Sequence, residues 1–163
     1  MDDVTQSPPK PEIPLGMYVA RVDEKGRIKL PVDFQKYFGE LGEKEFFITS
    51  LDARIGSIYT LPLWRYNLRV LAECTEETEA ADAIGFLADD LGGQAEMDSQ
   101  GRLLVPAELR RELEMENQAV RLRAAGERVD ILSDKVYGEL RVRSRGRDAN
   151  AANLAKLKKR GLK

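Results

Sequence analysis

VDEKGRIKLPVDFQKYF, from Val22 to Phe38, decides the fold, because MDSQGRLLVPAELRREL, from Met97 to Leu113, aligns with it without a gap at a constant offset of 75. Asp23, Gly26, Arg27 and Pro31 recur as Asp98, Gly101, Arg102 and Pro106. The apolar positions Ile28, Leu30, Phe34 and Phe38 are matched by Leu103, Val105, Leu109 and Leu113. An internal duplication is the economical explanation. Each copy reads as a half-buried strand, with Tyr18, Ala20 and Val22 alternating in the first copy and Ala95 and Met97 in the second. The D-x-x-G-R turn follows: the Asp side chain can accept from backbone amides, and the Gly offers a positive φ without a Cβ clash, so a short local hairpin with a bulge is expected. After the turn, Ile28 and Leu30 take the apolar face, while Arg27 and Lys29 share the other. Pro31 and Pro106 suit the first turn of a helix, and Phe34/Phe38 and Leu109/Leu113 lie one helical turn apart.

Downstream the copies continue alike. Strands at FFITS (Phe46 to Ser50) and GSIYTL (Gly56 to Leu61) lead to a helix in LWRYNLRVLAE; AVRLRA and RVDILS lead to one in DKVYGELRV. An acidic helix around Glu76 to Asp90, with Ile84, Leu87 and Leu91 at helical spacing, reads as an ordered bridge between the halves. The expected layout is a Pro-rich leader over 1–14, a first half over 15–73, a bridging helix over 74–90, a second half over 91–143 and a basic tail over 144–163. The leader, with Pro8, Pro9, Pro11 and Pro14, reads as flexible or extended. The stretch DANAANLAKLKKRG is compatible with a short basic helix, free or docked.

The 163 residues, 42% hydrophobic and 33% charged, suit a soluble globular chain and not a disordered one, and the strands and helices of the two copies make the expected class α+β. There is no histidine and one cysteine, Cys74, so an intramolecular disulfide, a Cys/His zinc set and a histidine-assisted nucleophile are all out of reach. Glutamates 73, 76 and 77 around Cys74 argue against a reactive thiolate. No dinucleotide, P-loop, hydrolase or zincin motif occurs. The acidic pairs Asp89/Asp90 and Glu76/Glu77 read as solvated surface and not as a metal site. Trp64 reads as packing under the hairpin and not as a stacking platform for bases. No enzyme, cofactor, metal or small-molecule substrate is therefore expected. No apolar stretch reaches the roughly 18 residues of a membrane span, and the leader lacks the pattern of a signal peptide. The expected setting is reducing and cytoplasmic.

The formal charge of −2 hides an asymmetry. Arg141 to Lys163 hold nine Lys or Arg against Asp148 alone, so the tail carries +8 and the remainder −10. A basic tail on an acidic body fits polyanion binding and equally a solvated tail.

The duplicated D-x-x-G-R strand–turn–strand–Pro–helix unit, from about Gly16 to about Val142, resembles the MraZ family, whose halves are AbrB-like (SpoVT-AbrB) DNA-binding units. The resemblance implies a swapped-hairpin barrel with peripheral helices, assembly into a homo-oligomeric ring, and a nucleoid-associated regulator of the division and cell-wall gene cluster that reads short G-rich direct repeats in double-stranded DNA. It maps the family's Asp and Arg onto Asp23 and Arg27 and onto Asp98 and Arg102, with the arginines as DNA contacts and Asp23, Gly26, Asp98 and Gly101 shaping the turns. A guanidinium can donate two parallel hydrogen bonds to guanine O6 and N7, a fork lysine lacks. Arg21, Lys25 and Lys29 around Arg27 would meet phosphates, with Arg110 and Arg111 as possible helpers. An ion pair of Asp23 with Arg27 across their own turn is the plainer alternative, and both can hold. Matched turn positions carry +2 in the first copy and −1 in the second, so the first is expected to attract DNA more strongly. The rival reading is an oligomeric ring or scaffold without specific DNA binding.

Overall fold

The computed structural model describes residues 9–163; most of the Pro-rich leader, residues 1–8, lies outside the described residues. In chain order the elements are β1 (Met17–Arg21), β2 (Arg27–Lys29), α1 (Val32–Leu41), β3 (Glu45–Ser50), β4 (Gly56–Thr60), α2 (Leu61–Glu73), α3 (Thr78–Leu91), β5 (Gly93–Glu96), β6 (Arg102–Leu104), α4 (Ala107–Glu112), β7 (Ala119–Ala125), β8 (Arg128–Ser133), α5 (Asp134–Arg143) and α6 (Arg147–Lys158). The class is α+β.

The local hairpins expected at the two D-x-x-G-R turns do not form as such. Only the bridge Val22–Ile28 joins the strands flanking the first turn. Beyond it they part: β1 pairs with β7, and β2 pairs antiparallel with β6 of the other repeat. The physical reason is the length of β2. Pro31 turns the chain into α1 directly after Leu30, so β2 has three residues, too few to bury an apolar face in a lone hairpin. Pairing with its own counterpart instead leaves Ile28 0% and Leu103 1% exposed.

The register exposes a pseudo-two-fold axis. Ile28 stands opposite Leu103, its equivalent 75 positions on, and the amides of Leu30 and Val105 donate to the carbonyls of Gly101 and Gly26, both at 2.9 Å. The six-stranded sheet has the order β1-β7-β8-β4-β3-β5, unchanged when the halves are exchanged. At its centre Ser57 faces Asp130, and the buried Ser57 hydroxyl donates to Asp130 Oδ1 at 2.9 Å. The closed barrel implied by the family resemblance is absent among the described residues: an open six-stranded sheet and a two-stranded ribbon share the core.

That core is continuous across both halves. Ile28, Phe34, Phe38, Phe46 and Ile48 of the first pack with Leu103, Leu109, Met115, Leu122 and Ile131 of the second. The phenylalanines one turn apart on α1 are both buried, as are Leu109 and Leu113 in the second copy, which is what the helical spacing predicts. Pro31 and Pro106 sit one position earlier than expected, as N-caps. The acidic bridging helix spans Thr78–Leu91, and its Ala88 carbonyl accepts from the buried Thr49 hydroxyl at 2.7 Å. Trp64 packs as expected, though against the sheet and α3 instead of under a hairpin: it stacks on Phe47 at 4.7 Å and touches Tyr59 and Ala88. In the leader, Ile13 packs against the core and Lys10 pairs with Glu127 at 3.5 Å.

Candidate nucleic-acid interface

Each turn is built by its aspartate. Asp23 Oδ1 accepts from the backbone amides of Lys25 and Arg27, both at 2.9 Å, and Oδ2 accepts from Arg27 Nε at 3.1 Å. Asp98 repeats the set with Gln100, Arg102 and Arg102 Nε at 2.9, 2.9 and 2.7 Å. Gly26 and Gly101 have φ of +81° and +76°, a left-handed conformation that glycine adopts without a Cβ penalty. A second constraint acts on both. A Cβ on Gly26 would overlap the Arg110 guanidinium, and one on Gly101 would overlap the Gln35 amide. Gln35 and Arg110 are equivalent residues: each reaches back to a backbone carbonyl, of Leu30 and Val105 respectively, while lying over the turn of the opposite repeat.

These hydrogen bonds hold the carboxyls of Asp23 and Asp98 below the usual carboxylate range, chiefly through the Arg27 and Arg102 amides. A carboxylate whose acidity is increased by folding stabilises the folded state above its unfolded value, about 3.9, and loses that contribution as pH falls through the depressed one. Urea unfolding of the wild type and of Asp23→Asn/Asp98→Asn, followed from neutral pH to about pH 3, is therefore expected to give two curves that converge on acidification. A gap that stays constant with pH would mean that the charge of these carboxylates does not support the turns.

The side chains of Arg27 and Arg102 are 27% and 26% exposed. Both arginines pair with their own aspartate through Nε, and neither has another side-chain hydrogen bond among the described residues, which leaves each pair of Nη groups open. The register Arg27–Leu104, Lys29–Arg102 places all four residues on the face of the ribbon opposite Ile28 and Leu103. Arg27 and Arg102 are thus diagonal neighbours, about 7–8 Å apart by sheet geometry and somewhat closer at Cβ.

The other anticipated residues scatter. Lys25 is exposed at the tip of the first turn. Arg21 does not join Arg27: its guanidinium donates to the Asn117 carbonyl and side chain at 2.9 and 3.0 Å. Arg110 is no free helper either, being held by Glu116 at 3.1 Å with a side chain 15% exposed; Arg111 is exposed and pairs with Glu108. The first copy's advantage in charge is redistributed, since Lys29 stands across from Arg102. Among the described residues there is no group of three or more potential metal ligands and no helix long and apolar enough to cross a membrane.

Residues 93–144, from β5 to the end of α5, match the family profile described as "MraZ protein, putative antitoxin-like". The chain is 37% identical over 105 residues to the transcriptional regulator MraZ of Acidobacterium capsulatum, covering 64% of this chain and 72% of that protein. It is 33% identical over 127 residues to the transcriptional regulator MraZ of a Thermoanaerobacter species, covering 77% and 84%. The chain belongs to the MraZ family. A third MraZ regulator, from Desulfitobacterium hafniense, is 30% identical over 141 residues, covering 85% of this chain and 93% of its own. The MraZ profile ends at the start of the basic tail, so α6 lies outside it. Within the MraZ-like body, Gln35 and Arg110 are what a reading of single turns misses. Their shared offset of 75 was visible in the sequence, but their task depends on pairing between repeats.

Proposed function

We propose that this chain is a sequence-specific, duplex-DNA-binding transcription regulator in which the β2–β6 ribbon presents Arg27 and Arg102 to guanines. The observation that carries the reading is the placement of the two arginines on one exposed ribbon face, each fixed through Nε by its aspartate and open at both Nη groups. A two-stranded ribbon fits the major groove, which is about 12 Å wide, and an Nη pair can donate to guanine O6 and N7 together. Prior fixation by aspartate reduces the rotamer entropy that binding removes. Asp23, Gly26, Asp98 and Gly101 set the turns; Lys29 and Lys25 meet phosphates, with Arg21 at the margin.

Three arginine or lysine side chains on a ribbon this short offer few contacts. Repetition of the protomer in a homo-oligomeric ring along short G-rich direct repeats raises the effective concentration of the remaining ribbons once one has bound. The relatives' name as transcriptional regulators supports this reading, and the family resemblance extends it to the division and cell-wall gene cluster and to a place at the nucleoid.

The test is a mobility shift with the duplex immediately upstream of the protein's own gene, beside a shuffled duplex of the same composition, with solution mass measured in parallel. The upstream fragment is expected to bind at least tenfold more tightly, about 1.4 kcal/mol. Equal affinity for both duplexes overturns sequence-specific regulation, and a ring that binds neither is the scaffold reading.

A further inference from the structure

The two halves match in backbone but not on their outer faces. In the first half, Phe47 of β3 stacks on Trp64 of α2, and α3 closes over them. The register places Arg121 of β7 and Tyr137 of α5 at the equivalent positions, and there the Arg121 guanidinium lies 4.5 Å from the Tyr137 ring. Thr60 and Ser133 confirm the helix alignment, since each caps its helix by accepting from the amide three residues on. On that alignment Leu68, Val70 and Ala72 of α2 become Arg141, Arg143 and Arg145. Apolar residues of α2 thus stand where the second half has guanidinium groups, while Arg65 and Arg69 of α2 become Gly138 and Val142 in the other direction.

The exchange builds a basic pocket. Arg123, Arg141 and Arg145 line a cavity of about 240 Å³ together with Tyr137, Ser144 and the apolar Met17, Leu132 and Leu140. Arg141 donates to the Tyr137 hydroxyl at 3.3 Å, and Arg141, Arg121 and Arg145 hold the phenol below its usual range. None of these four arginines pairs with a carboxylate among the described residues, and neither do Arg65 and Arg69 on α2, whereas Arg27, Arg54, Arg102, Arg110, Arg111 and Arg128 all do.

The chain then continues from this face into α6, which buries no residue. Lys156, Lys159 and Arg160 are spaced i, i+3, i+4, with Lys158 beside them, and all are exposed. An isolated helix of this length is marginal in water, and no packing supports it here. Cations in its last turn favour the helix through its dipole, but by only about 0.3–1 kcal/mol each. Arginines without a carboxylate partner are thus followed along the chain by exposed cations of α6 that cover no apolar surface.

We propose that the basic face of Arg123, Arg141 and Arg145, continued along the chain by the α6 cations, binds the phosphate backbone of duplex DNA away from the base pairs met by the ribbon. The inference rests on the DNA-binding reading above and deepens it. β1 runs from Met17, beside the basic pocket, to Arg21, next to the first turn. At about 3.3 Å per residue the two surfaces are more than 10 Å apart, so they contact different phosphates. Lysine point charges and unpaired guanidinium groups suit phosphates of any sequence, so the face adds affinity without selectivity.

The test compares wild type, Arg27→Ala/Arg102→Ala, and two charge-neutral variants: Arg123→Gln/Arg141→Gln/Arg145→Gln and Lys156→Gln/Lys158→Gln/Lys159→Gln/Arg160→Gln. Glutamine keeps the helix propensity, and circular dichroism checks the fold. Affinities for the upstream and shuffled duplexes are measured between about 50 and 200 mM salt. Each neutral variant is expected to weaken both duplexes by the same factor, preserve their ratio, and flatten the slope of log K against log salt by about 0.9 for every phosphate it no longer neutralises. Unchanged slopes in both neutral variants, with selectivity abolished only in the ribbon variant, overturn the basic face and leave the regulator reading standing. Neutral variants that bind DNA normally but fall in solution mass reassign the face to pairing between copies. A wild type that binds neither duplex overturns both proposals.

Discussion

Arg27→Ala/Arg102→Ala is expected to bring the upstream duplex down to the affinity of the shuffled one. A bidentate arginine–guanine pair contributes about 1–3 kcal/mol of discrimination, so removing one costs about 5- to 150-fold and removing two approaches the product of the single effects. Both side chains are about a quarter exposed and lie on the face of the ribbon away from Ile28 and Leu103, so the truncations leave the sealed core in place. Asp23 and Asp98 keep their backbone bonds and still close the turns. Urea midpoints should therefore move little while selectivity collapses. Arg27→Lys/Arg102→Lys separates fork from charge. It retains the net charge and most of the salt dependence but cannot present two parallel donors, so its selectivity should fall nearly as far as that of the alanine variant. The single variants bear on the imbalance between halves. The first copy's turn positions are richer in cations, which favours a larger effect at Arg27; the ribbon places Lys29 opposite Arg102, which favours equality. Lysine variants that read sequence as well as the wild type would remove guanine recognition from the proposal.

The sequence carried the elements and much of the site, and the reason is local chemistry. Asp, Gly and Arg in D-x-x-G-R act within five residues, so the turn, its positive φ and the Asp23–Arg27 and Asp98–Arg102 pairs follow from residue types alone. Phe34 and Phe38 mark the buried face of α1 in the same way. What the sequence left hidden depends on which strands meet. The pairings β1 with β7 and β2 with β6 span about half the chain or more, and no periodicity distinguishes a local partner from a remote one when both are equally apolar. That one unknown accounts for the separate hairpins expected and not formed, for Arg21 pointing at Asn117, and for Lys29 standing beside Arg102. It also concealed Gln35 and Arg110, whose place over the opposite turn exists only once the repeats are interleaved. Duplication was the available hint. A repeat too small to bury Ile28 by itself can satisfy that residue against its own copy, and in the structure Ile28 does so against its equivalent Leu103.

Leu103→Ala is expected to cost about 2–5 kcal/mol of folding stability, and Ile28→Ala a similar amount, in the range measured for aliphatic truncations in packed cores. Against a typical total of about 5–15 kcal/mol, either change is a large fraction. Both residues are essentially sealed: Ile28 is 0% and Leu103 1% exposed, and they stand opposite one another on the pseudo-two-fold axis. Leu104 is the control. It is the next residue on the same strand but 54% exposed on the outer face, so Leu104→Ala should stay within about 0.5 kcal/mol of wild type. Because Ile28 and Leu103 share neighbours in one core, the double variant should depart from the sum of the singles by at least about 0.5 kcal/mol. The continuous core adds a second expectation: urea unfolding passes through one transition in every variant, since the main core is built jointly by both halves. Two separable transitions, or strictly additive single effects, would mean that each half folds around its own hairpin. Arg27 and Arg102 would then no longer share a ribbon, and the distance between their side chains would cease to be set by the register. Stability at Ile28 and Leu103 is in this sense the condition for recognition on the opposite face: the same cross-repeat pairing that buries two aliphatic side chains inward holds two guanidinium groups at a fixed spacing outward.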